Sequence, residues 1–226
     1  MLARDQSERG HALGQSLYSF AVAVLSSLML GGCFSAQIYP TLEHRGISLQ
    51  QGDLEAYGIG FITPSAATGQ EEERQAVALV FADVMQKERK GVRVVPLAQT
   101  LGAINKAGLA DAYSRMYNDY RDTGLLKRDL LHQVASVIGV RYIAQIKVQS
   151  FGQTSKERFG MFGFRIVETK TAGVRLFFQL WDSMDGTVAW EATQELHYSY
   201  DTFSERQLPL PTVVGRAAQE LVAKLP

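Results

Sequence analysis

Three segments in the second half of the chain alternate between apolar and polar residues with a period of two. The apolar positions are Val140, Tyr142, Ala144, Ile146 and Val148 in the first segment, Val174, Leu176, Phe178 and Leu180 in the second, and Val188, Trp190, Ala192, Leu196, Tyr198 and Tyr200 in the third. Successive side chains of a β-strand point to opposite faces, so each segment predicts a strand with one buried face. Asp185-Gly186 between the last two segments is turn chemistry and indicates an antiparallel hairpin.

Helical spacing of apolar residues governs four other stretches. They run from Val77 to Met85, from Leu109 to Tyr120, from Leu130 to Ile138 and from Val214 to Leu225. Two short apolar segments, 57–64 and 92–97, predict further strands. The order of elements therefore predicts an α/β (α+β) fold: a mixed sheet of about five strands packed by helices, with a C-terminal helix and a late antiparallel hairpin.

Three tyrosines share one face of the second helical stretch. Tyr113, Tyr117 and Tyr120 recur at intervals of four and three residues. Such a stripe is either a core face with its hydroxyl groups at the rim or a surface for a partner, and we expect the core face.

The composition excludes several classes of protein. The 226 residues carry 23 Lys and Arg against 23 Asp and Glu, with 46% hydrophobic residues. Such a composition is globular rather than disordered. A nucleic-acid binder needs a basic surplus to neutralise phosphates, so we expect no nucleic-acid partner. The single cysteine, Cys33, excludes an internal disulfide.

The N-terminal region carries a short apolar run. Arg4 and Arg9 precede the run 17–30, which Gly31, Gly32 and Cys33 follow directly. A transmembrane helix needs about 20 apolar residues, and this run has the length of the apolar core of a secretory signal. An ordinary buried cysteine behind an uncleaved anchor is the alternative.

The run and its cysteine resemble the bacterial lipoprotein signal, in which an aliphatic residue, two small residues and a cysteine mark the site of processing. The resemblance implies cleavage between Gly32 and Cys33 and acylation of Cys33, which attaches the chain to a bilayer. It divides the sequence into a signal peptide over 1–32, a lipidated N-terminus with a flexible tether over 33–56, and a single periplasmic α/β domain over 57–226. Phe34, where family members retained in the inner membrane tend to carry Asp, favours the outer membrane facing the periplasm; retention in the inner membrane stays open.

Motifs for catalysis or metal binding are missing from the sequence. It contains no H-E-x-x-H, C-x-x-C, G-x-S-x-G or P-loop pattern. Gly58 and Gly60 lie within a predicted strand and indicate close backbone packing. Asp182 to Gly186 predicts a turn rather than a calcium loop, because it lacks the alternating oxygen ligands. We expect no enzyme, no cofactor and no metal.

One segment combines large apolar residues with glycines. Phe159, Met161, Phe162 and Phe164 alternate with or adjoin Gly160 and Gly163. The segment is either an exposed contact for a membrane or a partner protein, or an irregular edge strand whose rings fold inward.

Several segments together are similar to the periplasmic lipoprotein superfamily that includes the curli secretion protein CsgG, the penicillin-binding-protein activator LpoB and the N-terminal domain of TolB. They are the strand that ends at Pro64, the segments 91–96 and 139–143, and the segment 177–191 with Trp190 after its Asp-Gly turn. The resemblance spans about residues 57 to 225, through the order of elements more than through identity. It implies a non-enzymatic scaffold, assembly factor or regulator of a cell-envelope complex, of the export-accessory or cell-wall-synthase-activator type, with a possible homo-oligomer.

Two classes of function therefore stay open. The first is the membrane-anchored binding protein, and the second is an α/β ligand-binding or enzymatic domain with an unrecognised site. A well-formed pocket with convergent polar groups would favour the second class.

Overall fold

The structure, a computed structural model, describes residues 37–66, 71–161, 164–202 and 208–226. The strands are β1 (Gln37–Gly46), β2 (Ile59–Phe61), β3 (Ser65–Ala66), β4 (Val94–Val95), β5 (Tyr142–Met161), β6 (Phe164–Asp182) and β7 (Thr187–Thr202). The helices are α1 (Asp53–Tyr57), α2 (Glu71–Glu88), α3 (Leu97–Lys106), α4 (Ala110–Thr123), α5 (Arg128–Ile138) and α6 (Leu210–Val222). Within these residues, no helix is both long and apolar enough to cross a bilayer.

All the described strands belong to one mixed sheet in the order β1-β7-β6-β5-β2-β4, with β3 paired to β5. The strands β1, β7, β6 and β5 are antiparallel to one another in this order, whereas β2 is parallel to both β5 and β4, and β3 is parallel to β5. The predicted α/β class, late hairpin and C-terminal helix are confirmed. The sheet has seven described strands rather than about five, because β1 and β3 join the predicted ones.

The strand β1 corrects the prediction of a flexible tether over 33–56. Residues 37–46 pair with β7 along their whole length, and Leu54 in α1 is 1% exposed in the core. All side chains of β1 except that of Leu42 are exposed, so the strand has no apolar alternation and is held through its backbone. Pro40, which suggests a linker, is tolerated because β1 lies at the sheet edge. The folded body begins by residue 37, not at residue 57.

Helices cover both faces of the sheet. On the first face, α2 and α6 pack against the even-numbered positions of β6 and β7, where the Phe178 ring lies 5.5 Å from that of Phe81 and 6.0 Å from that of Trp190. On the second face, α3, α4 and α5 enclose a smaller cluster that includes Ile143 and Trp181. The alternation read from the sequence thus corresponds to the larger core.

The hairpin of β5 and β6 is longer than the alternating segments that predicted it. Its strands have 20 and 19 residues and remain paired from Tyr142 with Asp182 to Met161 with Phe164. At the base, Arg141 donates from Nε and Nη2 to the buried carboxylate of Asp182, at 3.0 and 2.6 Å. These hydrogen bonds raise the pKa of Arg141 above its ordinary value. The ion pair therefore joins the two strands at the base of the hairpin, in the register that pairs Tyr142 with Asp182.

Close backbone packing at Gly58 and Gly60 is confirmed. Gly58 has φ +71°, and a Cβ atom there would lie 2.9 Å from the carbonyl oxygen of Arg93. A Cβ atom at Gly60 would lie 2.3 Å from the side chain of Ile138. The two glycines let the backbone at β2 lie close to Arg93, which precedes β4, and to Ile138 at the end of α5.

We expect Gly58→Ala to destabilise the protein more than Gly108→Ala does. Gly108 has the same φ of +71° but nothing within 4 Å of its added Cβ, so it isolates the cost of the left-handed backbone. That cost is about 1 to 2 kcal/mol, and Gly58→Ala should exceed it by at least about 1 kcal/mol because backbone must move. Urea unfolding of both variants measures the difference; equal losses would contradict the close approach.

Candidate functional site

Strand register places the start of β1 and the far end of the β5–β6 hairpin on the same side of the molecule. Gln37 pairs with Ser199 of β7, Ser199 with Thr171 of β6, and Thr171 with Thr154 of β5. From this level, β5 continues from residue 154 to residue 161, which is about 23 Å at roughly 3.3 Å per residue. The chain enters β1 from that same side, because β1 runs antiparallel to β5 and therefore begins on the side where β5 ends.

The predicted contact residues lie at this far end as far as the structure describes them. The backbone of Phe159 and Met161 ends β5, and that of Phe164 begins β6. Phe162 lies outside the described residues. The side chains of the other three are also outside them, so both alternatives for the segment stay open. The backbone pairing of β5 with β6 at this end is irregular, with register shifts between Glu157 and Phe159 and between Phe159 and Gly160.

The predicted processing site also lies outside the described residues. Gly32 and Cys33 precede Gln37 by five and four positions in the sequence. Four residues span at most about 14 Å when fully extended. Cys33 is therefore confined to within about 14 Å of the start of β1.

Trp190, the best single match to the superfamily pattern, belongs to the core. Its ring is 1% exposed and has the ring of His44 stacked against it at 5.9 Å. Its role in this chain is to hold β1 and β7 against the first core.

The tyrosine stripe of α4 faces the body, as expected, with its hydroxyl groups bonded. Tyr113 Oη accepts a hydrogen bond from the Thr63 amide at 2.8 Å, and Tyr117 Oη donates to the Pro64 carbonyl at 3.3 Å. These bonds attach α4 to the residues that follow β2. The prediction of a core face rather than a partner surface is confirmed.

A groove opens on the second face of the sheet, beside α4. It has a volume of about 530 Å³, and its lining includes Ser65, Tyr120, Lys147, Phe177, Gln179 and Thr193. Lys147, Phe177 and Thr193 lie side by side on three adjacent strands. We call this the sheet groove.

The side chain of Gln179 is fixed at the floor of the sheet groove. Its Oε1 accepts hydrogen bonds from Tyr120 Oη and Trp181 Nε1, both at 3.2 Å. These two donors orient the amide and leave its Nε2 without a hydrogen bond among the described residues. Burial raises the pKa of Tyr120 to about 12.

Gln145 lies directly opposite Gln179 across β5 and β6 and is 1% exposed. Its Nε2 donates to Ser65 Oγ at 3.4 Å and to the carbonyl of Ile146 at 3.2 Å. Its Oε1 is buried and accepts no hydrogen bond from any residue that the structure describes. Gln145 is thus a buried neighbour of Ser65 and Gln179 rather than part of the lining of the sheet groove.

Sequence reasoning did not identify the sheet groove. The period-two alternation places Gln145, Lys147 and Gln179 only at polar positions between the apolar residues of two predicted strands. The sequence signal that could have indicated the groove is the alternation of glutamines and a lysine with apolar residues. Nothing in that pattern told which polar positions are solvated and which line a groove.

Metal-binding clusters are not found in the described part of the chain: no group of three His, Cys, Asp or Glu side chains could hold an ion there. His197 pairs only with the exposed Glu195, at 3.1 Å.

Tyr120→Phe should lower stability and change its dependence on pH. Below pH 10 the phenol is neutral in folded and unfolded chains, so its contribution is fully present. Between pH 10 and about 12 only the unfolded chain ionises, and that contribution is lost as the pH rises. We expect a loss of about 0.5 to 1.5 kcal/mol at pH 8 and a shallower decline from pH 10 to 12. Denaturant unfolding across this range measures both, with the exposed Tyr39→Phe as the control at pH 8; an unchanged slope would refute the assignment.

No protein-family model matches this chain, and no curated protein does either. Solved structures that resemble it include a PelC dodecamer from Paraburkholderia phytofirmans, at 17% identity and TM-score 0.41 over 83% of this chain and 94% of that one. Lipoprotein GNA1162 from Neisseria meningitidis is 14% identical with TM-score 0.43, over 74% of this chain and 96% of that one. The LpoB C-terminal domain from Salmonella enterica is 12% identical with TM-score 0.35, over 66% of this chain and 84% of that one.

These similar structures thus include a bacterial lipoprotein and one of the proteins named with the superfamily above. With every TM-score below 0.5, their assembly and partners are not transferred to this chain. Membership of the superfamily stays a prediction.

Proposed function

We propose that the protein is an outer-membrane lipoprotein, held by acylated Cys33 and facing the periplasm. It works by binding, as a non-enzymatic scaffold, assembly factor or regulator of a cell-envelope complex. The observation that carries the proposal is the common direction of the chain entry at Gln37 and of the far hairpin end. An anchor at Cys33 and the apolar segment 159–164 would then meet the same bilayer.

The lengths on the two sides support this arrangement. Cys33 stays within about 14 Å of Gln37, whereas the hairpin end extends about 23 Å beyond the level of Gln37. A bilayer that holds the acyl chains is therefore close enough for the hairpin end to contact it. The hairpin end then either enters the headgroup layer or lies along its surface. Four large apolar residues in the segment 159–164 suit such an environment.

Acylation would supply the attachment itself. Two or three acyl chains bury many methylene groups at roughly 0.8 kcal/mol each, which makes anchoring stable where one chain is marginal. The hairpin end then adds orientation: with two contacts on one side, the α5 and α1 end of the body faces away from the membrane. That end, and the exposed edge of β1, are the surfaces available to an envelope partner or to a second copy.

Anchoring is tested with Cys33→Ala in the native host. We expect the wild-type protein in the membrane fraction, with a mature N-terminus at an acylated Cys33, and crosslinked to a discrete envelope protein. The variant should leave the membrane fraction and lose the crosslink while keeping its melting temperature, because residue 33 precedes the folded body. A wild-type protein with a free Met1 in the soluble fraction would overturn the proposal.

The hairpin contact is tested with a tryptophan reporter on the reconstituted lipoprotein. Met161→Trp at the hairpin end should fluoresce at shorter wavelength in vesicles and be quenched by brominated lipids. Thr154→Trp, about 23 Å back along β5, is the matched control and should be quenched several-fold less. The intrinsic Trp181 and Trp190 are buried and give a constant background. Equal quenching at both positions would contradict the proposed orientation even if the protein is acylated.

A further inference from the structure

A second groove lies at the end of the body that faces away from the membrane in the proposed arrangement. It has a volume of about 380 Å³ and lies between the end of α1, the last turns of α5 and the turn from β6 to β7. We call it the distal groove; its lining includes Tyr57, His132, Ser136, Arg141, Ser183 and Met184. From the start of β5 beside this groove, the strand runs about 40 Å to the level of Thr154, at roughly 3.3 Å per residue.

The hydroxyl group of Ser183 is a hydrogen-bonding group that the fold does not use. Ser183 is 2% exposed, and it lines the distal groove. Its amide donates to the carbonyl of Arg141 at 3.0 Å, whereas its Oγ forms no hydrogen bond with any residue that the structure describes. Polar groups of buried side chains nearly always have a partner, and those without one call for an explanation. The Ser183 hydroxyl therefore indicates that a ligand occupies the distal groove.

Other donors line the same groove. Arg141 donates to Asp182 from Nε and Nη2, which leaves Nη1 without a hydrogen bond among the described residues, in a side chain that is 35% exposed. Ser136, on the exposed side of α5, has no hydrogen bond of its hydroxyl group within the described part of the chain, and His132 lies one turn before it. Two hydroxyl groups and a guanidinium nitrogen can all donate to a group that only accepts, and an ionised carboxylate is such a group.

The charges around the distal groove favour a ligand with one negative charge. None of the described lining residues is acidic. Arg93 donates to two carbonyls at the end of α5 and Arg128 to a carbonyl of the β6–β7 turn, and neither pairs with a carboxylate among the described residues. Against these two cations, Arg141 is neutralised by Asp182, and the turn carries the carboxylate of Asp185. The positive surplus is therefore small, and it suits a carboxylate better than a phosphate group with its charge of nearly two.

Two large apolar side chains are exposed at the rim of the groove. The exposed fractions of Tyr57 and Met184 are 47% and 54%. The guanidinium of Arg141 lies 5.0 Å from the centre of the Tyr57 ring and supports that ring from one side. Tyr, Met and Arg are residues that protein interfaces are enriched in, and a methionine adapts its shape to what it contacts. The rim therefore suits apolar side chains of a protein chain on both sides of the carboxylate.

We propose that the distal groove binds an acidic side chain of a partner protein, in a segment where apolar residues flank the acid. The carboxylate accepts hydrogen bonds from Ser136, Ser183 and the free Nη1 of Arg141. The flanking apolar residues pack on Tyr57 and Met184. That this partner belongs to the cell envelope rests on the proposed function, whereas the binding itself needs only the folded body.

The test is an NMR titration of the full-length protein in detergent micelles, labelled with ¹³C in its methionine methyl groups. The probe is the peptide acetyl-Ala-Leu-Glu-Leu-Ala-amide. We expect a saturable shift of the Met184 signal, while the signals of Met85 and Met116, which are buried in the two cores, stay in place. The same peptide with Gln in place of Glu should bind at least about tenfold more weakly, because its hydrogen bonds lose their charge assistance.

Ser183→Ala should weaken binding of the Glu peptide at least about tenfold, because one hydrogen bond to a charged acceptor is lost. Ser136→Ala, a substitution on a helix surface, should weaken it in the same direction. Ser114→Ala is the matched control: it removes a hydroxyl group from an exposed residue of α4 outside the groove, and it should bind as the wild type does. Thermal unfolding of each variant checks that the fold persists.

An unmoved Met184 signal, equal binding of the Glu and Gln peptides, or wild-type affinity in both Ser136→Ala and Ser183→Ala would overturn the proposal. Displacement of the Glu peptide by an equal concentration of inorganic phosphate would also overturn it and would assign the groove to phosphate ligands. Each of these results leaves the outcome of the Cys33→Ala experiment unaffected, because the titration does not depend on acylation. Failure of the groove proposal is therefore distinguishable from failure of the proposed anchoring.

Discussion

Every other strand of the sheet is attached to the hairpin of β5 and β6, either directly or through a neighbour. β5 carries β2 and β3 on its outer side, and β6 carries β7, which in turn holds β1. One face of this hairpin is apolar at every second residue and supplies much of the core under α2 and α6. A shift of one residue in the pairing of β5 with β6 would turn that face to solvent. The Arg141–Asp182 pair at the base and the buried residues above it are therefore compatible with a single register. The positions of the core residues, of the edge strand β1 and of the sheet groove all depend on that register.

Among the described residues, the helices pack on the base of the hairpin, and the proposed membrane contact lies beyond them. Beyond the level of Thr154, none of the described side chains of β5 and β6 belongs to either core cluster, and the two strands end on the side where the chain enters at Gln37. Below that level, α4 covers the second face only in part, through Tyr113, Tyr117 and Tyr120, and the sheet groove remains beside it. The region beyond Thr154 suits a bilayer contact.

The sequence alone determined the strands with one buried face, the four longer helices, the glycine-dependent approach at Gly58 and Gly60, and the resemblance of Gly32 and Cys33 to a lipidation signal. Each of these features follows from the local periodicity of the sequence or from residues that are adjacent in it. Only the tertiary structure decided that residues 37–46 form an edge strand, because an exposed strand is held by backbone hydrogen bonds and leaves no apolar pattern. The same holds for the sheet groove: Ser65 and Gln179 lie far apart in the sequence, and only strand pairing and the position of α4 bring them together with Tyr120. The side of the molecule on which the anchor and the hairpin end meet is likewise a property of strand order, which no local pattern encodes.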